Sequence, residues 1–170
     1  ADEIADKMGA ERIGQCEKHD TGVSFYGVYY GQAALPHAPD SLFYLDNAVI
    51  RGLKVYNVEI SSDIPVYDLG AAAGRDPYEM FLGGARSIIR ITNPNAAQER
   101  RLIIFRDSFG SSIAPLLAAG YSEITLVDIR YISPLSLGKL IDFTKADDAL
   151  FLYSASVINN SETIKGTSKN

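Results

Sequence analysis

Three short stretches in the second half of the chain are near-continuously apolar: LIIF at 102–105, ITLV at 124–127 and ALFLY at 149–153. None alternates with polar residues, the pattern of strands covered on both faces rather than one. Between them lie two helix-like segments, 111–119 and 134–143, the first stopped by Gly120 and the second opened by Pro134. The order strand 102–106, helix, strand 124–128, helix, strand 149–154 predicts an α/β fold with a doubly wound parallel sheet.

The first half, residues 1–99, carries weaker patterning. Its text from 16 to 64 is irregular and rich in Tyr and Gly, with turn signals at Gly27, Gly31, Pro36 and Pro39. LKVYNVEI at 53–60 alternates imperfectly, but its β-branched content predicts a strand, with 66–69 as a short partner. Asp76 and Pro77 open a short helix that Gly83-Gly84 end, and 87–92 reads as another strand. ADEIADKMG at the start reads as the end of an amphipathic helix, so the chain is expected to be the C-terminal part of a larger domain. A single domain is predicted, with its core at 100–156 and a frayed tail at 161–170.

Composition narrows the classes. With 170 residues, 46% hydrophobic and 22% charged, the chain can bury the core of one domain. A net charge of −5 without any Lys/Arg cluster argues against nucleic acid as a partner. The lone Cys16 excludes an internal disulfide. No apolar run approaches the ~18 residues of a membrane helix. No metal and no cofactor are expected.

Ligands of such sheets sit outside the carboxyl ends of the strands, which here places the loops 107–112, 128–133 and 154–161 on one rim. Ser108, Asp128, Arg130 and Asn159 should face it. Ser108 has two readings. In one, Asp107 or Ser108 caps the following helix while Ser111 and Ser112 fill its first turn. In the other, Ser108 is a nucleophile, with an oxyanion hole drawn from its own amide, an amide of Gly83 or Gly84, and that of Asn159. A third use of the same turn, anion binding at the helix amides, has a dinucleotide version with Asp128 on the ribose. That version lacks the G-x-G-x-x-G it needs, since only Gly110 is present. The nucleophile wants an imidazole base, and the two histidines, His19 and His37, both lie in the irregular half. On these residues the triad is incomplete. Asp107 is expected to hold the turn through backbone amides. Arg130 either grips a substrate carboxylate or acetyl oxygen, or pairs with Asp128 or Asp107. Tyr26, Tyr29, Tyr30, Tyr44 and Tyr56 form either a sugar-stacking surface or core with satisfied hydroxyls.

DPYEMFLGG (76–84), LIIFRDSFGSSIAPLLA (102–118), SEITLVDIRYIS (122–133) and DDALFLYSASVINNS (147–161), in that order, resemble the bacterial DHHW family. FYGVYYGQA (25–33) extends the resemblance over nearly the whole chain. That family is similar to SGNH hydrolases and to alginate-type O-acetyltransferases. Asp107-Ser108 matches the end of the Gly-Asp-Ser of SGNH enzymes, with Arg106 in the glycine's place. The resemblance implies an SGNH, flavodoxin-like fold with Ser108 as nucleophile. It also implies that the Asp-His-His-Trp motif precedes Ala1, which separates the serine from its histidine and leaves this chain inactive alone. The activity implied is acyl-ester hydrolysis or O-acetyl transfer on a cell-envelope polysaccharide or an acylated small molecule. The protein would be extracytoplasmic or membrane-anchored through a segment outside this chain. The competing class is a non-catalytic envelope protein that binds glycan along the rim.

Overall fold

The structure, a computed structural model, describes residues 1–27, 36 and 38–160. Among the described residues eight strands form two sheets. An antiparallel hairpin pairs β1 (Glu17–Phe25) with β2 (Asp40–Asp46). The other six are β3 (Lys54–Asn57), β4 (Ser62–Ile64), β5 (Ile88–Thr92), β6 (Arg101–Arg106), β7 (Glu123–Val127) and β8 (Asp148–Leu152). They lie in the order β4-β3-β5-β7-β6-β8.

The three apolar runs make the parallel part of this sheet. β6 is central, with β7 on one side and β8 on the other, both parallel to it. The remaining pairs, β5 with β7, β3 with β5 and β3 with β4, are antiparallel. The sheet is therefore mixed, and the expected all-parallel, doubly wound sheet is corrected to three parallel strands with an antiparallel extension. Connection length explains the change. Only the short loop 93–100 joins β5 to β6, too little chain to return along the sheet, so β5 runs opposite to β6 and to β7, which lies between them.

Side chains of β6 alternate between two buried layers. Leu102 and Ile104 face Leu117 and Ala118 on one side, while Ile103 faces Leu137 and Ile141 on the other. The first crossover runs from β6 to β7 and the second from β7 back across β6 to β8, and right-handed connections running in opposite directions place them on opposite faces of the sheet. Ile89, Ile104 and Leu126 are fully buried, each contributing roughly 1.5–3 kcal/mol of hydrophobic stabilisation. The first crossover is α-helical only over Gly110–Ile113 and continues as a 3-10 helix, Ala114–Gly120. Pro115, without an amide proton, falls where the tighter helix begins. The second is a helix over Pro134–Leu140 with a 3-10 turn at Phe143–Lys145, shorter than the predicted 134–143.

The first half holds more order than its sequence suggests. Val23 and Phe25 of β1, with Leu42 and Tyr44 of β2, pack against Tyr67, Ala72, Met80 and Phe81 as a third cluster. The expected strand at 66–69 is a single bridge between Tyr67 and Phe81. The expected helix at 76–82 is a 3-10 turn, Pro77–Met80, whose start is capped by Asp76 accepting from the Tyr78 amide at 3.1 Å. This packing brings the 76–85 segment and the end of β1 beside the carboxyl end of β6.

Candidate functional site

β6 ends in three residues of graded burial: Arg106 is 0% exposed, Asp107 2%, and Ser108 half-buried. The Asp107 carboxylate accepts the amide of Phe109 at 3.1 Å and that of Ser154 at 2.6 Å. The helix after the turn starts at Phe109 without any side-chain cap. The Ser108 hydroxyl is thus not a helix cap, and it makes no hydrogen bond among the described residues. Gly110 permits this turn, because a Cβ there would stand 2.7 Å from Cβ of the buried Arg106.

Behind the serine lies a buried charge group. Asp128 is 0% exposed and accepts from Arg130 Nε at 2.8 Å and Nη2 at 2.6 Å, with Arg106 Nη1 3.9 Å from the same Oδ2 that Nη2 uses. Hydrogen bonding to Asp128 raises the pKa of Arg130, whereas burial lowers that of Arg106. Arg106 donates at 3.4 Å to the carbonyls of Asp107 and Arg86. Burial also pushes the Tyr153 phenol up, and its hydroxyl finds no hydrogen-bond partner among the described residues.

Ser108 opens into a cleft of about 280 Å³ built from four segments: Phe25 and Gly27 at the end of the hairpin, residues between Asp76 and Ala85, Ser108-Phe109, and Arg130-Tyr131. Tyr78 braces the serine side, donating from its hydroxyl to Ser112 Oγ at 2.8 Å while its ring meets Phe109 edge-on at 6.2 Å. Burial raises the Tyr78 pKa.

Of the residues singled out in the sequence, Ser108, Arg130 and Gly84 line this cleft. Asp107 and Asp128 are buried behind it. Gly83 and Asn159 are not among its lining residues, and Asn159 is exposed at the end of the short helix Ala155–Asn159. The Gly84 amide donates to the Phe81 carbonyl at 3.1 Å and is already committed. The amides of Ser108 and Ala85, both at the cleft, carry no hydrogen bond among the described residues. His19 stacks on Tyr44 at 5.0 Å and is not at the cleft. His37, Tyr29, Tyr30 and the tail 161–170 lie outside the described residues. Tyr44 packs between His19 and Tyr67, while Tyr26 and Tyr56 are exposed. The aromatic residues at the serine are instead Phe25, Tyr78, Phe109 and Tyr131. Sequence reasoning passed over Ala85, Tyr78 and Glu79, although the latter two fall within the DPYEMFLGG run.

Among the described residues no group of three or more His, Cys, Asp or Glu side chains is placed to hold a metal ion, and no helix is long and apolar enough to cross a membrane.

The family model described as DHHW protein matches residues 7–127. No curated protein matches the chain. Among solved structures, a DHHW family protein from Eubacterium siraeum is 20% identical with a TM-score of 0.67, over 95% of this chain and 56% of that one. Bacillus cereus PatB1 with a sulfonyl adduct is 18% identical with a TM-score of 0.64, over 92% of this chain and 54% of that one. A second PatB1 structure is 17% identical at the same TM-score of 0.64, over 92% and 56%. The chain spans little more than half the length of these structures, and the likeness is one of fold.

Proposed function

The chain belongs to the DHHW family, and on that premise we propose that it carries the nucleophilic half of an SGNH-like serine acyl-ester hydrolase or O-acetyltransferase. One observation carries this reading: Ser108 sits at a strand–helix turn, in a cleft, with a hydroxyl that neither caps the helix nor bonds to any described neighbour. A capping serine would instead spend its hydroxyl on a nearby backbone amide.

Ser108 Oγ attacks the ester carbonyl carbon while a base takes its proton. The amides of Ser108 and Ala85 face the oxygen that becomes negative. The alcohol then leaves with a proton, and the acyl group on Oγ passes to water in hydrolysis or to an acceptor hydroxyl in transfer. Asp107, its carboxylate occupied by two amides, fixes the turn rather than the base. No described histidine lines the cleft, and His37 lies outside the described residues; the reading takes its imidazole from polypeptide beyond this chain. The acyl ester is carried by a polysaccharide of a bacterial cell envelope, and the protein works outside the cytoplasm. A sulfonyl adduct on a protein of the same fold supports the reading in kind, because sulfonylation is a reaction of activated nucleophiles.

The second reading, a glycan-binding protein without catalysis, draws on Phe109 and Tyr131, which are 43% and 56% exposed beside the serine. Fluorophosphonate labelling of the full-length protein, read by intact mass and peptide mapping, separates the two. The enzyme gives one adduct, on Ser108, which Ser108→Ala abolishes and Ser111→Ala or Ser112→Ala keeps. Absence of any adduct, with glycan binding retained, establishes the binder.

A further inference from the structure

We infer that Arg106 is a positioning residue for the oxyanion hole: its guanidinium bridges the two segments that supply the amides and turns the Asp107–Ser108 peptide so that its N–H faces the cleft. This rests on the reading of Ser108 as the reacting residue. Nη1 donates at 3.4 Å to the Asp107 carbonyl, and Nη2 at 3.4 Å to the Arg86 carbonyl. The Asp107 carbonyl belongs to the peptide unit that carries the Ser108 amide. A trans peptide points its C=O and N–H in opposite directions. With the oxygen turned inward to a side chain that is 0% exposed, the Ser108 N–H is turned outward. The Gly110 amide, 3.1 Å from the same oxygen, holds it from the helix side. Arg86 follows Ala85, whose amide is the other unengaged donor at the cleft. One planar fork therefore fixes the serine turn against the backbone at 85–86.

A purely structural role fits Arg106 poorly. Its Nε has no hydrogen-bond partner among the described residues, and both of its hydrogen bonds are long. Asp128, 3.9 Å away, gives its short bonds of 2.6 and 2.8 Å to Arg130 instead. An arginine buried on such terms costs desolvation that an apolar side chain of similar length would avoid. What the apolar side chain could not do is donate to two carbonyls at once. The stem is fixed as well. Cβ, Cγ and Cδ of Arg106 lie 2.7, 3.0 and 3.4 Å from where a side chain on Gly110 would begin, so the start of the helix rests on them. A positive charge behind the Asp107 carbonyl also polarises that peptide, and the Ser108 N–H becomes a stronger donor toward a developing oxyanion.

Two measurements test this. In the full-length protein, labelling of Ser108 by a fluorophosphonate is followed for both rate and end point, because phosphonylation places a negative oxygen where that of the ester would develop. Arg106→Met should reach the parental end point about 10²-fold more slowly, the loss that follows removal of one oxyanion donor. Arg106→Lys should fall between the two, since a single ammonium cannot hold both carbonyls; it decides the matter if Arg106→Met does not fold. A merely structural arginine gives the opposite pattern, a lower end point from unfolded molecules with the rate of the remainder unchanged. Ile124→Ala, in the core and paired with Leu102 at the far end of β6 from Ser108, calibrates that pattern.

The second measurement uses this chain and needs no reaction. Acetate, titrated against the amide NMR signals, should move those of Ser108 and Ala85 together, and in Arg106→Lys the two should no longer move together. The inference falls if the variants label at the parental rate, if acetate moves neither amide in the parent chain, or if Arg106→Lys responds to acetate as the parent does. The contrast with acetate, without any labelling at Ser108, sinks only the nucleophile. Labelling of Ser108 at one rate in parent and variants sinks only this inference.

Discussion

Asp107 and Ser154 join two loops of the rim: the Asp107 carboxylate accepts the Ser154 amide at 2.6 Å across 47 positions of sequence. β6 and β8 are parallel neighbours, so the loops that follow them emerge side by side. The same carboxylate holds the Phe109 amide at 3.1 Å, and the turn bearing Ser108 is clamped from both ends.

Asp107→Asn should destabilise the protein by roughly 1.5–3 kcal/mol, the worth of hydrogen bonds to a charged acceptor. The amide can keep one acceptor but turns an NH₂ toward a second donor. Urea midpoints of the two proteins measure the effect; a loss under about 0.5 kcal/mol, the scatter expected of an inert surface change, would mean that the clamp is slack.

Gly110→Ala should cost about 1–3 kcal/mol through overpacking. The new methyl lands 2.7 Å from Cβ of Arg106, at the start of a fully buried side chain that has nowhere to move. Thermal denaturation compared with Gly138→Ala, where nothing lies within 4 Å, isolates the packing effect.

Asp128→Ala should be much worse than Arg130→Ala. Removing Asp128 strands the fully buried Arg106 and leaves Arg130 without its carboxylate, a loss of about 3–5 kcal/mol. After Arg130→Ala, Asp128 retains Arg106 at 3.9 Å. Equal losses would show that Arg106 and Asp128 do not interact.

Burial, then its hydrogen bond to Asp148 at 3.0 Å, pushes the Tyr121 phenol up to about 12. The unfolded chain releases that proton near pH 10. The stabilising contribution is therefore complete at neutral pH, and it is lost as the pH rises from about 10 to 12. Urea midpoints of Tyr121→Phe should fall less steeply across that window than those of the parent chain.

The chain of 170 residues by itself should hydrolyse aryl acetates negligibly, since a serine without its base retains only ~10³–10⁴-fold over water. Activity that disappears with His19→Ala or His37→Ala would place the base within the chain.

β6 and β7 were legible because they are buried on both faces, and both-face burial leaves a one-dimensional signature; β8 is equally apolar in sequence but is an edge strand that leaves Ala149 and Phe151 exposed on one face. Their observed bounds differ from the expected ones by no more than two residues. The serine turn was legible for a related reason, since a polar cluster must interrupt the chain where a buried strand ends. The β1–β2 hairpin was hidden by polar residues on its half-covered faces: His19 and Thr21 occupy inward positions that Val23 and Phe25 continue. The cleft was less legible still. Phe25, Glu79, Ser108 and Tyr131 come together from segments far apart in the chain, and no local pattern records that meeting. Sequence by itself determined the elements that local burial dictates and the residue raised at the end of β6. Only the tertiary structure decided that β5 would run against the parallel set, that Asp128 would take the charge of Arg130, and that Asp76 and Glu79 would line one cleft with Ser108. Such outcomes depend on long-range packing and on which charged groups end up sharing a low-dielectric interior, and neither is a property of any one stretch of residues.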